Sequence, residues 1–303
     1  MTAAASLEAP AQETRVGFFA AASAYALWGI VPLYLHFLTF ADAREVLAQR
    51  ILWCAPAVGI AMFALSGWRT GWQELRAALK PRMLGALTAS AFFIFFNWGI
   101  YVVLVLHARV IEASLAYFLA PLVSVAIGVM FFKERITTAQ IAALALAVAG
   151  VVVQGLSLGA TPWMALALCA TWSAYALIRK RAAVPAAAGL FVESVVLIPV
   201  ALFLLWSIHA PLAFSQSPQH AFILALAGPV TALPLVLFAM GARRVSFTAL
   251  GLMQFTAPTL QFLVGLSFGE PFTPLRAASF ALIWIGLVLF SWDSLRRARL
   301  ATA

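Results

Sequence analysis

Length, composition and charge together exclude a soluble globular protein. Of the 303 residues, 64% are hydrophobic and only 10% are charged, so there is too little polar surface to coat a water-soluble fold of this size. Nucleic-acid-binding proteins can also carry a formal net charge as high as +9, but here the basic residues are placed along the chain as in a membrane protein.

Ten apolar stretches are long enough to cross a bilayer. A hydrocarbon core about 30 Å thick needs about 20 residues of helix at a rise of 1.5 Å per residue. The predicted spans, in chain order, are 16–38, 45–65, 83–106, 113–132, 138–154, 162–177, 187–208, 221–240, 247–268 and 275–292. The first is interpreted as a retained helix, because its apolar stretch exceeds that of a signal peptide and shows no clear export-cleavage pattern.

The basic residues fall almost entirely on one side of this arrangement. Arg44, Arg109 and Arg276 lie on the opposite side, and Arg50 lies within a span. By the positive-inside rule the crowded side is cytoplasmic and both termini lie there. The residues on that side are Arg15, Arg69, Arg76, Lys80, Arg82, Lys133, Arg135, Arg179, Lys180, Arg181, Arg243, Arg244, Arg296, Arg297 and Arg299.

One segment of the chain occurs twice. VIEASLAYFLAPLVSVAIG at 110–128 and VSFTALGLMQFTAPTLQFLVG at 245–265 each place a Gly seven residues after a central proline, Pro121 or Pro258. Each copy also leads into a Glu, at Glu134 and Glu270, whose shared position is interpreted as inheritance rather than function. Ten spans give five per copy, and since five is odd the copies cross the membrane in opposite directions.

The predicted fold is therefore an all-α membrane protein of ten transmembrane helices in two inverted five-helix repeats. The first repeat spans 16–157 and the second 158–294, with cytoplasmic tails at 1–15 and 295–303. Repeats of this kind are typical of secondary transporters, in which two halves rock around a cavity near the bilayer midplane. The sequence thus predicts a transporter that works by alternating access.

Two charged residues lie inside apolar spans, where a charge costs roughly 2.5 to 3.5 kcal/mol on insertion scales. Arg50 has three interpretations: it snorkels to the headgroups, pairs with Glu193, or offers a fixed cation to an anionic substrate group. Glu193 is too short to snorkel comfortably from its depth. A buried carboxyl can take up and release a proton, so Glu193 is the candidate for proton coupling, although a structural Arg–Glu pair would have the same sequence pattern.

Aromatic and amide side chains in the spans supply the remaining candidates for a binding site. Such aromatics also pack helices or form interfacial belts, and both interpretations stay open for each of them. Pro121 and Pro258 each free a carbonyl one turn earlier, so they are predicted flexing points, positions that expose backbone acceptors to a substrate, or bends that suit packing. The substrate-binding and translocation candidates are Trp28, Arg50, Asn97, Trp98, Tyr101, Tyr117, Trp172 and Gln254.

The matches to enzyme and metal-binding motifs lack the other residues that such sites need. The G-x-S-x-G matches at 155–159 and 265–269 follow no strand and have no linked His and Asp set. Cys54 and Cys169 lie mid-helix without metal-ligand spacing, and the four His residues are scattered. We expect no enzyme activity, no cofactor and no metal; an integral-membrane enzyme or lipid-handling protein with a sparse site is the alternative.

Several runs of the sequence carry a family resemblance. They are AYALWGIVP at 24–32, QRILW at 49–53, NW at 97–98, EASLAYFLAP at 112–121, KER at 133–135, GLFVES at 189–194 and GLMQFTAPTL at 251–260. Together they resemble the RarD group of EamA-type permeases, in the drug/metabolite transporter superfamily. The resemblance covers about residues 16–293, and implies a ten-helix permease of the bacterial inner membrane that is often associated with export. Two departures are Ala120, where the family often has Asn, and the apolar stretch 103–106, which is often more polar.

The expected partners are a small-molecule substrate and the lipid bilayer, and not nucleic acid. An aromatic cavity with one Arg, one Glu and amide side chains suits a small amphipathic or zwitterionic solute, such as an amino-acid-like metabolite or a planar drug. The sequence leaves monomer and homodimer equally open.

Overall fold

The computed structural model describes residues 3–132, 137–158, 162–242, 244 and 253–302. These residues form helices and connecting turns, and no strand occurs among them. The helices are α1 (Ala3–His36), α2 (Ala43–Ser66), α3 (Trp68–Ala78), α4 (Pro81–Leu106), α5 (Val110–Phe132), α6 (Thr138–Leu158), α7 (Trp163–Arg181), α8 (Ala186–Trp206), α9 (Ala213–Gln216), α10 (Pro218–Ala225), α11 (Ala227–Ala242), α12 (Thr256–Ser267) and α13 (Pro274–Thr302).

Seven helical stretches in this part of the chain are long and apolar enough to cross a membrane. They are Arg15–His36, Ala43–Ser66, Pro81–Leu106, Thr138–Ser157, Ala186–Trp206, Pro218–Phe238 and Pro274–Asp293. Each overlaps a predicted span, so the prediction of an all-helical, multi-pass membrane protein is confirmed.

The other three predicted spans are mostly helical over the residues that the structure describes. The span 113–132 lies in α5, of which Val110–Val123 is a shorter apolar helix, and the span 162–177 lies almost wholly in α7. The span 247–268 is described from residue 253 onwards and contains α12. The ten-helix arrangement therefore stays a prediction here.

Two features of the helices were not predicted. Helix α1 begins at Ala3 and α13 runs to Thr302, so the two tails continue the neighbouring helices. Between the second and third predicted spans lies α3, which buries Leu75 and Ala78 and exposes Trp68. Helix α3 has 11 residues, which is too short for a span, so a search for transmembrane stretches passes over it.

Eight of the helices form a closed ring. Going round it, α1 packs against α11, α11 against α2, α2 against α8, α8 against α4, α4 against α7, α7 against α5, α5 against α12, and α12 against α1. Helices α6 and α13 form a separate pair that packs beside α5. In that pair the backbones approach closely at Gly150, whose carbonyl accepts a hydrogen bond of 2.7 Å from the Ser279 hydroxyl.

Candidate functional site

The ring of helices encloses a cavity of about 450 Å³. Each of the eight ring helices contributes at least one side chain to its wall. All eight predicted binding candidates border the cavity, together with both prolines of the repeated segment. These residues are Trp28, Arg50, Asn97, Trp98, Tyr101, Tyr117, Trp172, Gln254, Pro121 and Pro258.

Arg50 reaches the cavity from α2 and lies against the face of Trp98. Its Cζ atom is 4.6 Å from the centre of the Trp98 ring, within the range of a cation–π interaction. The Nε and Nη1 atoms are shielded from solvent and have no hydrogen-bond partner among the described residues. Arg50 therefore does not snorkel to the membrane surface in this structure, and it makes no salt bridge with Glu193 within the described part of the chain.

Glu193 lies behind the cavity wall with a different set of partners. Its carboxylate accepts a hydrogen bond of 2.5 Å from the Ser90 hydroxyl and one of 3.4 Å from the Tyr175 hydroxyl. The Arg179 Nε atom is 3.7 Å from Glu193 Oε1, which makes Arg179 its salt-bridge partner. The Glu193 side chain is completely buried, while Tyr175 and Arg179 both border the cavity.

Arg179 is a site residue that the sequence analysis missed. It was counted with Lys180 and Arg181 as a loop cation, because its place at the end of a predicted span matches the topological signal of basic loops. The structure instead turns the side chain inward, where it is only 13% exposed. The sequence around Arg179 does not distinguish the two orientations, and the inward one depends on Gly189, one helical turn before Glu193.

Gly189 provides the space in which the Arg179 guanidinium lies. A Cβ atom added at Gly189 would be 1.8 Å from Arg179 Nη1, far inside the contact distance of two heavy atoms. Any larger residue would therefore displace the guanidinium from its position beside Glu193. The run GLFVES at 189–194 thus holds both the carboxylate and the space for its partner.

Asn97 joins α4 to α7 across the cavity wall. Its Nδ2 donates to the Leu168 carbonyl at 2.9 Å and to the Thr171 hydroxyl at 3.3 Å, while its Oδ1 accepts from the Tyr117 hydroxyl at 3.4 Å. Both amide hydrogens are thus engaged within the protein. Asn97 has partners in its apolar surroundings, as an amide there requires, and little hydrogen-bonding capacity remains for a ligand.

Two aromatic clusters form the apolar walls of the cavity. In the first, Tyr25, Trp28 and Phe238 have ring centres 5.5 to 5.9 Å apart. The second cluster is a row of rings whose neighbours are 5.8 to 6.0 Å apart, formed by Tyr101, Tyr117, Trp172 and Tyr175. Phe238 was not predicted, because α11 is apolar throughout and nothing in its sequence marks the face that meets α1.

Proline positions free backbone carbonyls near the cavity. Pro32 has no N–H to donate to the Trp28 carbonyl one turn earlier, and the Gln261 Nε2 donates to that carbonyl at 3.2 Å instead. Gln261 therefore ties α12 to α1. Pro121 and Pro258 border the cavity from α5 and α12, and their flexing role stays a prediction.

Comparisons with known proteins agree with the resemblance seen in the sequence. Residues 15–155 match the model of the EamA-like transporter family. The chain is 41% identical to Protein RarD of Streptomyces exfoliatus, over 96% of this chain and 93% of that protein. It is 38% identical to the uncharacterized transporter YojE of Bacillus subtilis (strain 168), over 95% of this chain and 97% of that protein.

The chain belongs to the RarD group of the EamA-like transporter family. It is thus a membrane transporter of the drug/metabolite transporter type. A solved crystal structure, 22% identical, is similar in fold with a TM-score of 0.59 over 92% of this chain and 96% of that one. The family resemblance inferred from the sequence motifs is confirmed.

In this transporter one end of the cavity is clamped by two buried carboxylates. Glu45, at the start of α2, accepts hydrogen bonds from the backbone N–H groups of Ala213 and Phe214 at 2.9 and 2.8 Å. Glu270, after α12, accepts from the N–H groups of Val110 and Ile111 at the start of α5. Each carboxylate therefore joins segments that are far apart in the sequence.

The two carboxylates lie at the same end of the molecule, which we call the clamped end. There the rings of His36 and Phe268 stack with centres 4.3 Å apart, and those of Phe40 and His220 stack at 4.0 Å. These contacts link the end of α1 to the end of α12 and to the start of α10. Packed apolar side chains such as Leu35 and Val105 also lie at this end.

Glu270 has a function that the sequence analysis did not give it. Burial raises the pKa of this carboxyl, while the N–H donors of Ile111 and Val110 act in the opposite direction. Inheritance was the only role assigned to it, because its helix-capping partners lie about 160 residues away in the chain. Its counterpart Glu134 lies outside the described residues.

Proposed function

We propose that this protein is a secondary transporter that carries small amphipathic metabolites or drugs through the cavity by alternating access. The observation that carries the proposal is a cavity bordered by all eight ring helices, with Glu45 and Glu270 joining distant segments at one end of the molecule. A cavity bounded by many separate helices can change its access when groups of helices tilt against each other.

Two inverted five-helix repeats, 16–157 and 158–294, account for the helix packing. The proposed counterparts are α1 with α7, α2 with α8, α4 with the α10–α11 pair, α5 with α12, and α6 with α13. Under this exchange the α1–α11 contact becomes α7–α4, the α1–α12 contact becomes α7–α5, and the α2–α11 contact becomes α8–α4. The pairs α2–α8, α5–α12 and α6–α13 map onto themselves. Both contacts of each exchange are present in the structure, as are the three contacts that map onto themselves. This agreement supports ten helices in two halves related by a pseudo-twofold axis.

The sidedness of the cavity supports export from a bacterial inner membrane. At the end opposite the clamps, its wall includes Val184 and Ala186, which follow the basic run 179–181. The positive-inside rule places that run, and both chain termini, in the cytoplasm. The cavity would then be loaded from the cytoplasm, with the external end closed.

Glu193 is the proposed coupling group. Its carboxylate is completely buried, yet it contacts Tyr175 and Arg179, which border the cavity. A small displacement of either side chain would open a path for a proton from the cavity to Glu193. Such a displacement, driven by substrate binding or by the rocking of the halves, would link the proton to transport.

Flux measurements in sealed liposomes test both parts of this proposal. The protein is reconstituted, candidate solutes are supplied on one side, and uptake is followed with and without an imposed pH gradient. Transport by a conformational cycle predicts saturable uptake, and proton coupling predicts that Glu193→Gln transports only down the solute gradient.

A matched control is Glu74→Gln, which removes a carboxylate of the surface helix α3, bonded only to Ser66 among the described residues. This variant should behave as the parent protein. Full gradient-driven flux in folded Glu193→Gln would disprove the coupling role, and flux that does not saturate would disprove the alternating-access mechanism.

A further inference from the structure

The cavity carries positive charge that the described residues do not neutralise. Arg50 and Arg179 both border it, and no Asp or Glu is among the described side chains of its wall. Arg179 has Glu193 as a partner at 3.7 Å. Arg50 lies against the face of Trp98, and within the described part of the chain its guanidinium has no counter-ion.

The other described carboxylates are already committed elsewhere. Four of them lie at the clamped end, and each accepts hydrogen bonds from a cation or from backbone N–H groups there. The Glu112 carboxylate keeps one oxygen, Oε1, without a hydrogen-bond partner among the described residues, but it is paired with Arg109. None of the described carboxylates is among the groups that interact electrostatically with Arg50. Their partners are Arg44 for Asp42, Ala213 and Phe214 for Glu45, Arg109 for Glu112, and Val110 and Ile111 for Glu270; away from that end, Glu74 bonds to Ser66 and Asp293 to Thr137.

A second hydrogen-bond donor without a partner lies in the same part of the cavity. The Tyr101 hydroxyl is buried and makes no hydrogen bond within the described residues, as is true of Arg50 Nε and Nη1. Tyr101 is close enough to Arg50 for an electrostatic interaction. Buried polar groups are normally satisfied, so three unsatisfied donors in one place indicate an acceptor that comes from outside the protein.

These donors stand at the inner limit of the cavity, towards the clamped end. Arg50 lies seven residues after the start of α2 and Tyr101 five residues before the end of α4, and both of those helix ends are at the clamped end. A ligand that enters from the Arg179 end would pass between the two aromatic clusters before it reached the donors. Its apolar part would then remain between Trp28 and Phe238 on one side and Trp172 on the other.

We propose that the substrate is a small amphipathic carboxylate, with its anionic group on Arg50 and Tyr101 and its apolar body between the aromatic clusters. This inference rests on the proposed transport function and names the substrate class of the same cavity. A guanidinium and a hydroxyl both donate charge-assisted hydrogen bonds to a carboxylate. The guanidinium repels the positive charge of an ammonium group, and its hydrogen bonds to a neutral amide are weaker. A volume of about 450 Å³ suits a solute of this kind.

The test uses sets of three compounds that share one apolar body and differ only in charge. One set is phenylacetate, phenylacetamide and phenethylamine, and a second set has the naphthyl equivalents. The melting temperature of the purified protein in detergent is measured against the concentration of each compound. A compound that binds the folded protein raises the melting temperature in proportion to its saturation of the site.

We expect stabilisation by the carboxylates and not by the amides or amines. In Arg50→Gln the half-saturating concentration of the carboxylate should rise by about tenfold or more, as expected for the loss of a charge-assisted hydrogen bond. Tyr101→Phe should weaken binding less, and Arg50→Lys should retain part of it. Arg44→Gln removes an exposed arginine that does not border the cavity, and it should leave binding unchanged.

Three results would overturn the inference. They are equal or greater stabilisation by an amine or amide, an unchanged carboxylate effect in Arg50→Gln, and no stabilisation by any carboxylate at millimolar concentration. Flux of the same compounds into sealed liposomes separates this inference from the transport proposal. Saturable flux of an amine alone would support the transport proposal and contradict the carboxylate inference. Carboxylate binding at Arg50 without flux of any compound would support the binding site and contradict the transport proposal.

Discussion

Arg50 and Arg179 border the same cavity but have opposite surroundings. Arg179 lies beside the buried carboxylate of Glu193, in a space that Gly189 keeps open, whereas Arg50 has an aromatic face and no described carboxylate. Breaking a buried ion pair is costly, because removal of either partner leaves the other charge uncompensated in a region of low dielectric constant. An unpaired buried charge costs stability and is retained where a ligand completes it. We therefore infer a structural role in the cavity wall for Arg179 and a ligand-binding role for Arg50.

The largest expected effect comes from breaking the pair. Arg179→Met leaves the Glu193 carboxylate buried without a cation, and the free energy of unfolding should fall by roughly 3 kcal/mol. Chemical denaturation in detergent or a thermal shift measures this loss. Adding Glu193→Gln to the same chain removes the unpaired charge and should restore most of the stability. Unchanged stability of Arg179→Met would mean that the Arg179–Glu193 pair does not stabilise the cavity wall.

The second prediction has the opposite sign. Arg50→Met replaces a buried charge that has no described counter-ion by an apolar side chain of similar length, so the ligand-free protein should gain about 1 to 2 kcal/mol. The gain is measured as a higher melting temperature, and transport should be lost at the same time. A destabilised Arg50→Met would contradict the comparison, since it would reveal a counter-ion for Arg50 within the protein.

A smaller effect is expected from Gly189→Ala. The new methyl group occupies the position of the Arg179 guanidinium, which can swing away because it is the end of a flexible side chain. Stability should fall by about 1 to 2 kcal/mol, less than for Arg179→Met because the cation remains nearby.

Gly85→Ala is the matched control for that variant. Gly85 also lies inside a transmembrane helix, but nothing is within 4 Å of a Cβ atom added there. Alanine should stabilise this position by up to about 1 kcal/mol through its higher helix propensity. If both variants lost stability equally, the loss at Gly189 would not come from Arg179.

The smallest predicted effect is a pH dependence of the clamped end. Burial raises the pKa of Glu270 above that of a carboxyl in water, with Arg276 lowering it and Glu112 raising it from neighbouring elements. A proton is therefore bound more tightly when this end is closed. Protonation stabilises the closed form, and that stabilisation is lost as pH rises through the raised pKa of the closed form. Opening of the clamped end should accordingly become more frequent at higher pH.

Thiol labelling measures this opening. In a background without Cys54 and Cys169, a cysteine at the buried position Leu35 should react faster as pH rises, after correction for the intrinsic pH dependence of the thiol. In Glu270→Gln the corrected rate should not depend on pH. A corrected rate that falls as pH rises would contradict the prediction that protonation of Glu270 stabilises the closed form.

The comparison also explains what could be predicted from the sequence. Arg50, the aromatic residues and the prolines stood out because they interrupt or mark apolar spans, and the structure places all of them around one cavity. Arg179 looked like a loop cation, because a basic residue at the end of a helix has the same sequence pattern whether its side chain turns outward or inward.

The two clamp carboxylates were missed for a related reason. Glu45 and Glu270 bind backbone N–H groups, and these donors have no side-chain signature in the sequence. Their partners are more than 150 residues away, so they become evident only when the packing order of the helices is known. Motifs thus identified the wall-lining residues, while the contacts between distant helices required coordinates.

The most direct test of the account is counterflow of a labelled carboxylate into sealed liposomes. The compound is the member of the phenyl and naphthyl sets that stabilises the purified protein most. We predict saturable accumulation by the parent protein, accumulation slower by about tenfold or more in Arg50→Gln at a sub-saturating concentration, and parental rates for Arg44→Gln. Accumulation by the parent protein no faster than in protein-free liposomes, or equal accumulation by Arg50→Gln, would contradict it.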